Sequence, residues 1–412
     1  MLHKLFLNKN FFLLWTGQMV SQIGDKFYGI ALAWWILQQT NSPVIMGLFM
    51  AVSVLPGLAF GVFAGVFIDR WNRKILIIAS DMLRGICVIV IAFLSVIDIL
   101  ELWHIFAAAI LISLASAFFD PTVKAVIPQI VEQEQLPRAN ALSEIIDASS
   151  MIIGPVLGAA FVSFFGFTLV FLINGLSYLI SAFFEGFITI PPQVDSPSAD
   201  YTLRHEIETG IRYLLSRRKL VVTIGVIGIA HIFVGALIVS LPFLAKALSG
   251  DSIQTLGNLE MMIGFGMLLG ALSIQLRGKS HFKDKNLFVF IAAMGIFYLA
   301  IAITKSITST FVLPYMLLLL LIGAAIANAS VYWQSILQLN TSSDMAGRVF
   351  SISSVVGNIS LPISYGLFGI LLKYTSILRL MLFSGSALLF ISIVLMYFYH
   401  YGDKESQDNS LI

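Results

Sequence analysis

Twelve apolar runs, most about as long as the 20 residues a helix needs to cross a hydrocarbon core, follow one another along this 412-residue chain. They lie at roughly 11–38, 44–67, 75–97, 103–125, 142–165, 168–190, 219–245, 257–276, 287–304, 310–335, 348–372 and 377–399. In lipid every backbone amide must find its partner within the chain, so only helices and closed barrels span a bilayer. A barrel would show short stretches of weak alternation rather than continuous runs. The sequence therefore predicts an all-α integral membrane protein with twelve transmembrane helices. With 58% apolar and 11% charged residues, the composition lies outside the soluble range. The one cysteine, Cys87, falls inside an apolar run, which excludes a disulfide framework. The first run continues without a small-residue cleavage site and reads as a span, not a signal peptide.

Lys and Arg set the expected orientation, because cytoplasmic loops carry the excess. With both termini on one side, that side holds eighteen basic residues and the other four, Lys246, Lys305, Lys373 and Arg379. Lys26 and Arg84 lie inside spans. Both termini are expected in the cytoplasm and the protein in the cell inner (plasma) membrane. Between the sixth and seventh runs, Pro191-Pro192 and Asp195-Ser196-Pro197-Ser198 form a polar linker. Leu203, Ile207, Ile211 and Leu214 then recur at helical spacing, which reads as an amphipathic helix on the inner membrane face or as a solvated linker helix. The expected organisation is a six-helix bundle over 1–190, a cytoplasmic linker over 191–218, a second six-helix bundle over 219–400 and a cytoplasmic tail over 401–412. The halves echo each other: Arg138 and Pro155 recur as Arg348 and Pro362, at offsets of 210 and 207, which points to repeated, pseudo-symmetric bundles.

Between the second and third runs stands Gly65-Val66-Phe67-Ile68-Asp69-Arg70-Trp71-Asn72-Arg73-Lys74. This resembles the signature loop of the major facilitator superfamily, G-x-x-x-D-R-x-G-R-[RK], with Asn72 at the second glycine. Asn tolerates a left-handed backbone, so the turn is expected to survive the change. Beside the helix end near Gly347-Arg348, Asp69 is expected to act as a latch through the positive helix terminus. The plainer reading is a basic inner loop like any other.

Charge within the bilayer costs about 2.5 to 3.5 kcal/mol per residue at a span's centre, so such residues must face protein or water. In the first run Gln18, Gln22 and Asp25 share one helix face, with Ser21 beside them, and this stripe is the leading candidate for lining a cavity. Asp25 is placed to bind and release a proton; alternatively Asp25 and Lys26 only pair with neighbouring helices. Asp81 and Arg84 lie one turn apart and are placed to pair, although Arg84 could meet Asp69 or Asp120 in a gate. Asp120-Pro121, Lys124 and Pro128 are expected to close the fourth span with helix breakers. In the second half His231, Asn328 and Asn358, with Tyr332, Gln334 and Tyr365, are further polar or amphipathic candidates. Ser150 followed by Gly154, Pro155, Gly158 and Ala159 resembles the G-P-x-x-G-G motif of drug–proton antiporters, a motif suited to close helix packing.

Within the superfamily the chain resembles the macrolide-efflux type of drug–proton antiporter, a group that includes siderophore exporters. The carrying residues are Leu14 to Gln18 with Ser21, Gly24-Asp25, the Asp69 loop, Asp81 with Arg84, Phe118 to Pro121, Pro128 to Asn140 and Gly347 to Phe350. The resemblance implies two bundles, alternating access and export of an amphipathic compound, with protons and the bilayer as the other partners, as a monomer and without nucleic acid. An aromatic and Met-rich lining, from 33 Phe and 14 Met, suits bulky amphipathic cargo. A siderophore, another secreted metabolite or a lysolipid is the alternative cargo. A membrane enzyme is disfavoured: no paired-His helix, Gly-rich phosphate loop or nucleophile elbow is present in the sequence, and no cofactor, metal or catalytic residue is expected. A non-transporting receptor would leave the gate-like loops without a purpose.

Overall fold

The computed structural model describes residues 7–191, 203–249, 252–277, 284–307, 311–342 and 345–408, apart from the side chains of 62–66, 69–70, 203–207, 249, 275, 277 and 400–408. The described residues form α1 (Lys9–Thr40), α2 (Pro43–Val52), α3 (Leu55–Arg70), α4 (Arg73–Val96), α5 (Leu102–Ile130) and α6 (Leu136–Gly186). There follow α7 (Leu203–Leu215), α8 (Arg218–Ser249), α9 (Ile253–Arg277), α10 (Lys285–Ile307), α11 (Leu313–Asn340), α12 (Ala346–Tyr374) and α13 (Ile377–Asp408).

Ten helices among the described residues are long and apolar enough to cross a membrane. One of them, at 54 residues, is twice a span's length. It is divided at Gly166, whose φ of 77° and ψ of 175° break the helix between the fifth and sixth apolar runs; only glycine adopts that conformation readily. Helix α1 has the length, and its polar stripe is what lowers its hydropathy. Counting α2 with α3 as one interrupted span, twelve spans result, as the apolar runs predict. The short connections follow from local chemistry. Asn8 caps α1 by accepting from Phe11 N at 2.9 Å, and Asn41 ends the helix at φ 45°. Ser42 then caps α2, with Pro43 in its first turn.

Helix α4 shows why the bundle needs a bilayer. Its buried side carries Asp81 and Arg84, whereas Ile86, Val90 and Phe93 are exposed. A helix with its charge inside and its apolar face outside is stable only where the surroundings are apolar.

Two compact units form, residues 1–195 with 250–261 and residues 196–249 with 262–412. In the first, α1 and α4 both pack on α6, and α4 also packs on α5; in the second, α8 packs on α12, and α10 packs on α11 and α13. The third and sixth spans meet through glycines: a Cβ on Gly85 would sit 3.0 Å from Gly175 O. The ninth and twelfth spans meet in the same way, a Cβ on Gly295 falling 2.8 Å from Gly385 O. Each glycine of the second pair lies 210 residues after its counterpart in the first, the offset that also relates Arg138 to Arg348. A duplicated helix pair with identical close contacts is the physical content of the repeat.

Three local expectations are corrected. Pro121 and Pro128 do not close the fourth span, because α5 runs through both to Ile130. Prolines are tolerated in membrane helices, where neighbouring groups and small local adjustments can satisfy the carbonyls they free; here those are the carbonyls four residues before each proline, Ala117 O and Lys124 O. Asn72 is not left-handed: at φ −63° and ψ 112° it is the N-cap of α4, its Oδ1 accepting from Lys74 N and Ile75 N. Helix α7 does not present its whole apolar stripe to lipid. Leu214 packs with Leu220, Ile224, Leu337 and Val349, and Ser342 N donates to Tyr213 Oη at 3.1 Å. Ile211 remains exposed, and the side chains of Leu203 and Ile207 lie outside the described ones.

Candidate functional site

Polar side chains gather in the first unit along the second part of α6. Asn174, Tyr178, Ser181 and Glu185 follow one another at spacings of four, three and four, with Ser177 beside Tyr178, and all five are buried, so this helix turns one polar face inward. The Tyr178 hydroxyl donates to Asp25 Oδ1 of α1. Arg84 of α4, 4% exposed, donates to Asp81 Oδ1, and Asp81 is fully buried. The Arg84 guanidinium carbon also lies 3.9 Å from the ring centre of Phe119 and 4.9 Å from that of Tyr178. Ser181 donates to Glu185 Oε1 at 3.4 Å. The cluster thus draws on α1, α4, α5 and α6. A buried cation is retained at such a place by a carboxylate and by aromatic faces together.

Close packing brings α1 onto this face. A Cβ on Gly154 would fall 2.4 Å from Lys26 Cβ, and one on Gly158 would fall 2.6 Å from Phe27 O. The small residues flanking Pro155 therefore let α6 lie against α1, and Phe27 and Phe161 stack edge to face at 5.2 Å beside them. Gly24 belongs to the same arrangement, since its Cβ would overlap the Asn174 and Ser177 side chains.

A second polar feature is a cleft of about 310 Å³, lined by Gln18 and Gln22 of α1, Asp120, Val123, Lys124 and Ile127 of α5, and Ser143, Ile146 and Asp147 of α6. Each helix contributes residues spaced by three or four, so three stripes converge. Gln18 is buried, and Asp120, Lys124 and Asp147 are exposed. The stripe read along α1 therefore divides. Gln18 and Gln22 line the cleft, whereas Asp25, seven residues beyond Gln18 and about 10 Å further along the axis at 1.5 Å per residue, belongs with Tyr178.

The other predicted residues fall into separate places. Arg84 pairs with Asp81. In the signature loop, the side chains of Gly65, Asp69 and Arg70 lie outside the described ones, while Arg73 Nη1 donates to Ala125 O at 3.4 Å. The Asp69 latch is therefore left without a structural description. Arg348 Nη1 donates to Met345 Sδ at 3.4 Å. In the second unit Asn328 is occupied with packing: its Nδ2 donates to Ala324 O at 2.8 Å and to Gly270 O at 3.2 Å, joining α11 to α9. His231 Nδ1 lies 2.9 Å from Ile227 O, and the exposed Asn358 donates to Ser354 Oγ at 3.2 Å. Neither of these two reaches beyond its own helix in the bonds it makes.

Sequence reasoning missed Tyr178, Ser181, Glu185, Asn174 and Asp147. The signal for the first four was present as a polar stripe in the sixth run, but Ser, Tyr and Asn are weak markers in an apolar segment, and Glu185 reads as its polar end.

A span-length helical bundle with charge buried between its helices and a polar cleft beside them has the construction of a membrane transporter. The chain belongs to the Major Facilitator Superfamily, whose sequence profile matches residues 14–365. Its relatives in this family are transporters and not enzymes. It is 23% identical to macrolide efflux protein A of Streptococcus pyogenes over 386 residues, which is 93% of this chain and 94% of that protein. It is 26% identical over 400 residues to the uncharacterized MFS-type transporter YfiS of Bacillus subtilis, covering 95% of this chain and 93% of the relative. Among solved structures, a bacterial homologue of the iron transporter ferroportin in its inward-facing state superposes with a TM-score of 0.71 at 16% identity, over 94% of this chain and 98% of that one. At that identity the likeness bears on the fold alone.

Proposed function

We propose that this protein exports an amphipathic small molecule, of the macrolide type, across the cell inner membrane in exchange for protons, with Asp25 as a coupling carboxyl and both termini in the cytoplasm. The observation that carries the reading is Asp25 held by Tyr178 within a bundle of membrane-spanning helices, one turn beyond the polar cleft that begins at Gln18 and Gln22. Among the described residues the group bonded to this carboxyl is the neutral Tyr178 hydroxyl, so its own state of protonation decides its interactions. The likeness to a macrolide efflux protein supports an amphipathic drug as cargo. Alternating access would proceed by movement of the two units, with the signature loop and Arg348 as gating elements.

One observation favours a second cargo. The cleft volume of about 310 Å³ is at the lower end of the range of roughly 300–1,000 Å³ for small-molecule sites, and two amides, two carboxylates and an ammonium line it. A small, polar secreted metabolite fits that lining better than a bulky apolar one.

The test is uptake into everted membrane vesicles with a panel of macrolides, dyes and siderophores, comparing the parent protein with Asp25→Asn. Uptake of one compound that collapses with a protonophore and with the substitution is expected. Uptake that ignores both would exclude Asp25-linked proton exchange, and selective uptake of a polar metabolite would move the cargo to the second reading.

A further inference from the structure

Glu185, one residue before the end of α6, has no part in the reading above. It is 1% exposed, Oε1 accepts from Ser181 at 3.4 Å, and Oε2 has no hydrogen-bond partner. From α4 the charged groups that face it are Asp81 and Arg84. From its own helix it meets Ser181, against which α1 brings Gly17. The guanidinium is already bonded to Asp81 Oδ1. If both carboxyls were ionised, one cation would face two buried anions, and a buried carboxylate without its own counter-charge is strongly disfavoured. A proton on Glu185 removes the excess.

The same cluster has open positions. Arg84 Nε has no acceptor, and neither Glu185 Oε2 nor Asp81 Oδ2 has a donor. Once Glu185 gives up its proton, its carboxylate competes with Asp81 for the guanidinium, and the contact between α4 and α6 is redrawn. Tyr178, Ser181 and Glu185 stand on one face of α6 and span seven residues, about 10 Å of helix rise, between the Asp25 contact and the helix end.

We propose that Glu185 is a second proton-binding site, at the opposite end of the α6 stripe from Asp25, where a proton is bound and released during the transport cycle. This rests on the proton-exchange reading of the protein. The step is a simple acid dissociation: the carboxylic acid of Glu185 loses one proton to water and becomes a carboxylate, which Arg84 then receives.

The test uses the purified full chain in lipid nanodiscs and needs no cargo. The infrared carbonyl band of a protonated, buried carboxylic acid is recorded from acidic to alkaline pH for the parent protein, Glu185→Gln and Asp25→Asn. A titrating band that disappears in Glu185→Gln and persists in Asp25→Asn is expected; a set of bands unchanged by Glu185→Gln would overturn the proposal. Should Glu185→Gln fail to fold, Glu185→Asp replaces it, and a band that neither shifts nor changes its titration overturns the proposal equally. In everted vesicles with labelled erythromycin, Glu185→Gln should retain counterflow but lose gradient-driven uptake down to the level seen with a protonophore. Full gradient-driven uptake by this variant would also count against it. A parent protein that moves no panel compound in a proton-linked way overturns the function reading instead, and the infrared arm still decides Glu185.

Discussion

Replacing Arg84 by methionine tests whether the buried cluster holds the first unit together. Arg84→Met keeps most of the side-chain length but deletes the bond to Asp81, whose side chain is fully buried, and the ring contacts to Phe119 and Tyr178 at 3.9 and 4.9 Å. Removing one partner of a buried pair costs about 3–5 kcal/mol, because the other charge remains without compensation. The ring contacts, at about 0.5–2 kcal/mol each, are part of that loss and are not added to it. Asp81→Asn should cost less than Arg84→Met, since Glu185 faces Arg84 and can take over as its acceptor. The double variant Asp81→Leu with Arg84→Met should cost less than Arg84→Met alone, since a neutral pair leaves no stranded charge. The assay is reversible unfolding by SDS in mixed micelles, followed by tryptophan fluorescence. A loss below about 1 kcal/mol for Arg84→Met, the range of an exposed pair, or a double variant as costly as the sum of the singles, would refute the reasoning.

Two further outcomes follow from local geometry. Because Asn72 caps α4 and is not left-handed, Asn72→Ser should be close to neutral and Asn72→Ala should cost about 0.5–2 kcal/mol in the same unfolding assay; a serine variant as costly as the alanine one would argue for a left-handed role. Gly158→Val places a branched side chain where a Cβ already meets Phe27 O at 2.6 Å, so α1 is forced away from α6 at a cost of about 1–3 kcal/mol or more. Unchanged unfolding and unchanged crosslinking between cysteines introduced on α1 and α6 would show that the contact is not tight.

The candidate site was legible only where a residue type was unusual for its surroundings. Asp25, Asp81 and Arg84 stand out because charge is expensive in a bilayer, and the structure places all three around Tyr178 and Phe119. Asn328 stood out for the same reason, yet its bonds to Gly270 and Ala324 make it a helix clamp, since a polar side chain in a membrane is satisfied equally by a neighbouring helix and by a cavity. Tyr178 and Ser181 gave only the weak signal of a polar stripe, because neither is costly enough in an apolar segment to mark its position.

By itself the sequence determined the number of spans, the helical class, the family and the internal repeat, because each follows from rules that act locally: apolar run length, obligatory backbone hydrogen bonding in lipid, and a short charged turn with its fixed spacing. Which residues meet was decided only in three dimensions. Gly154 and Gly158 set how near α1 comes to α6, and that approach brings Asp25 to Tyr178; the glycine contact of α4 with α6 brings Arg84 to the same ring. These pairs are separated by 153 and 94 residues in the chain, and no pattern of local spacing encodes a contact that depends on the face each of two helices turns to the other.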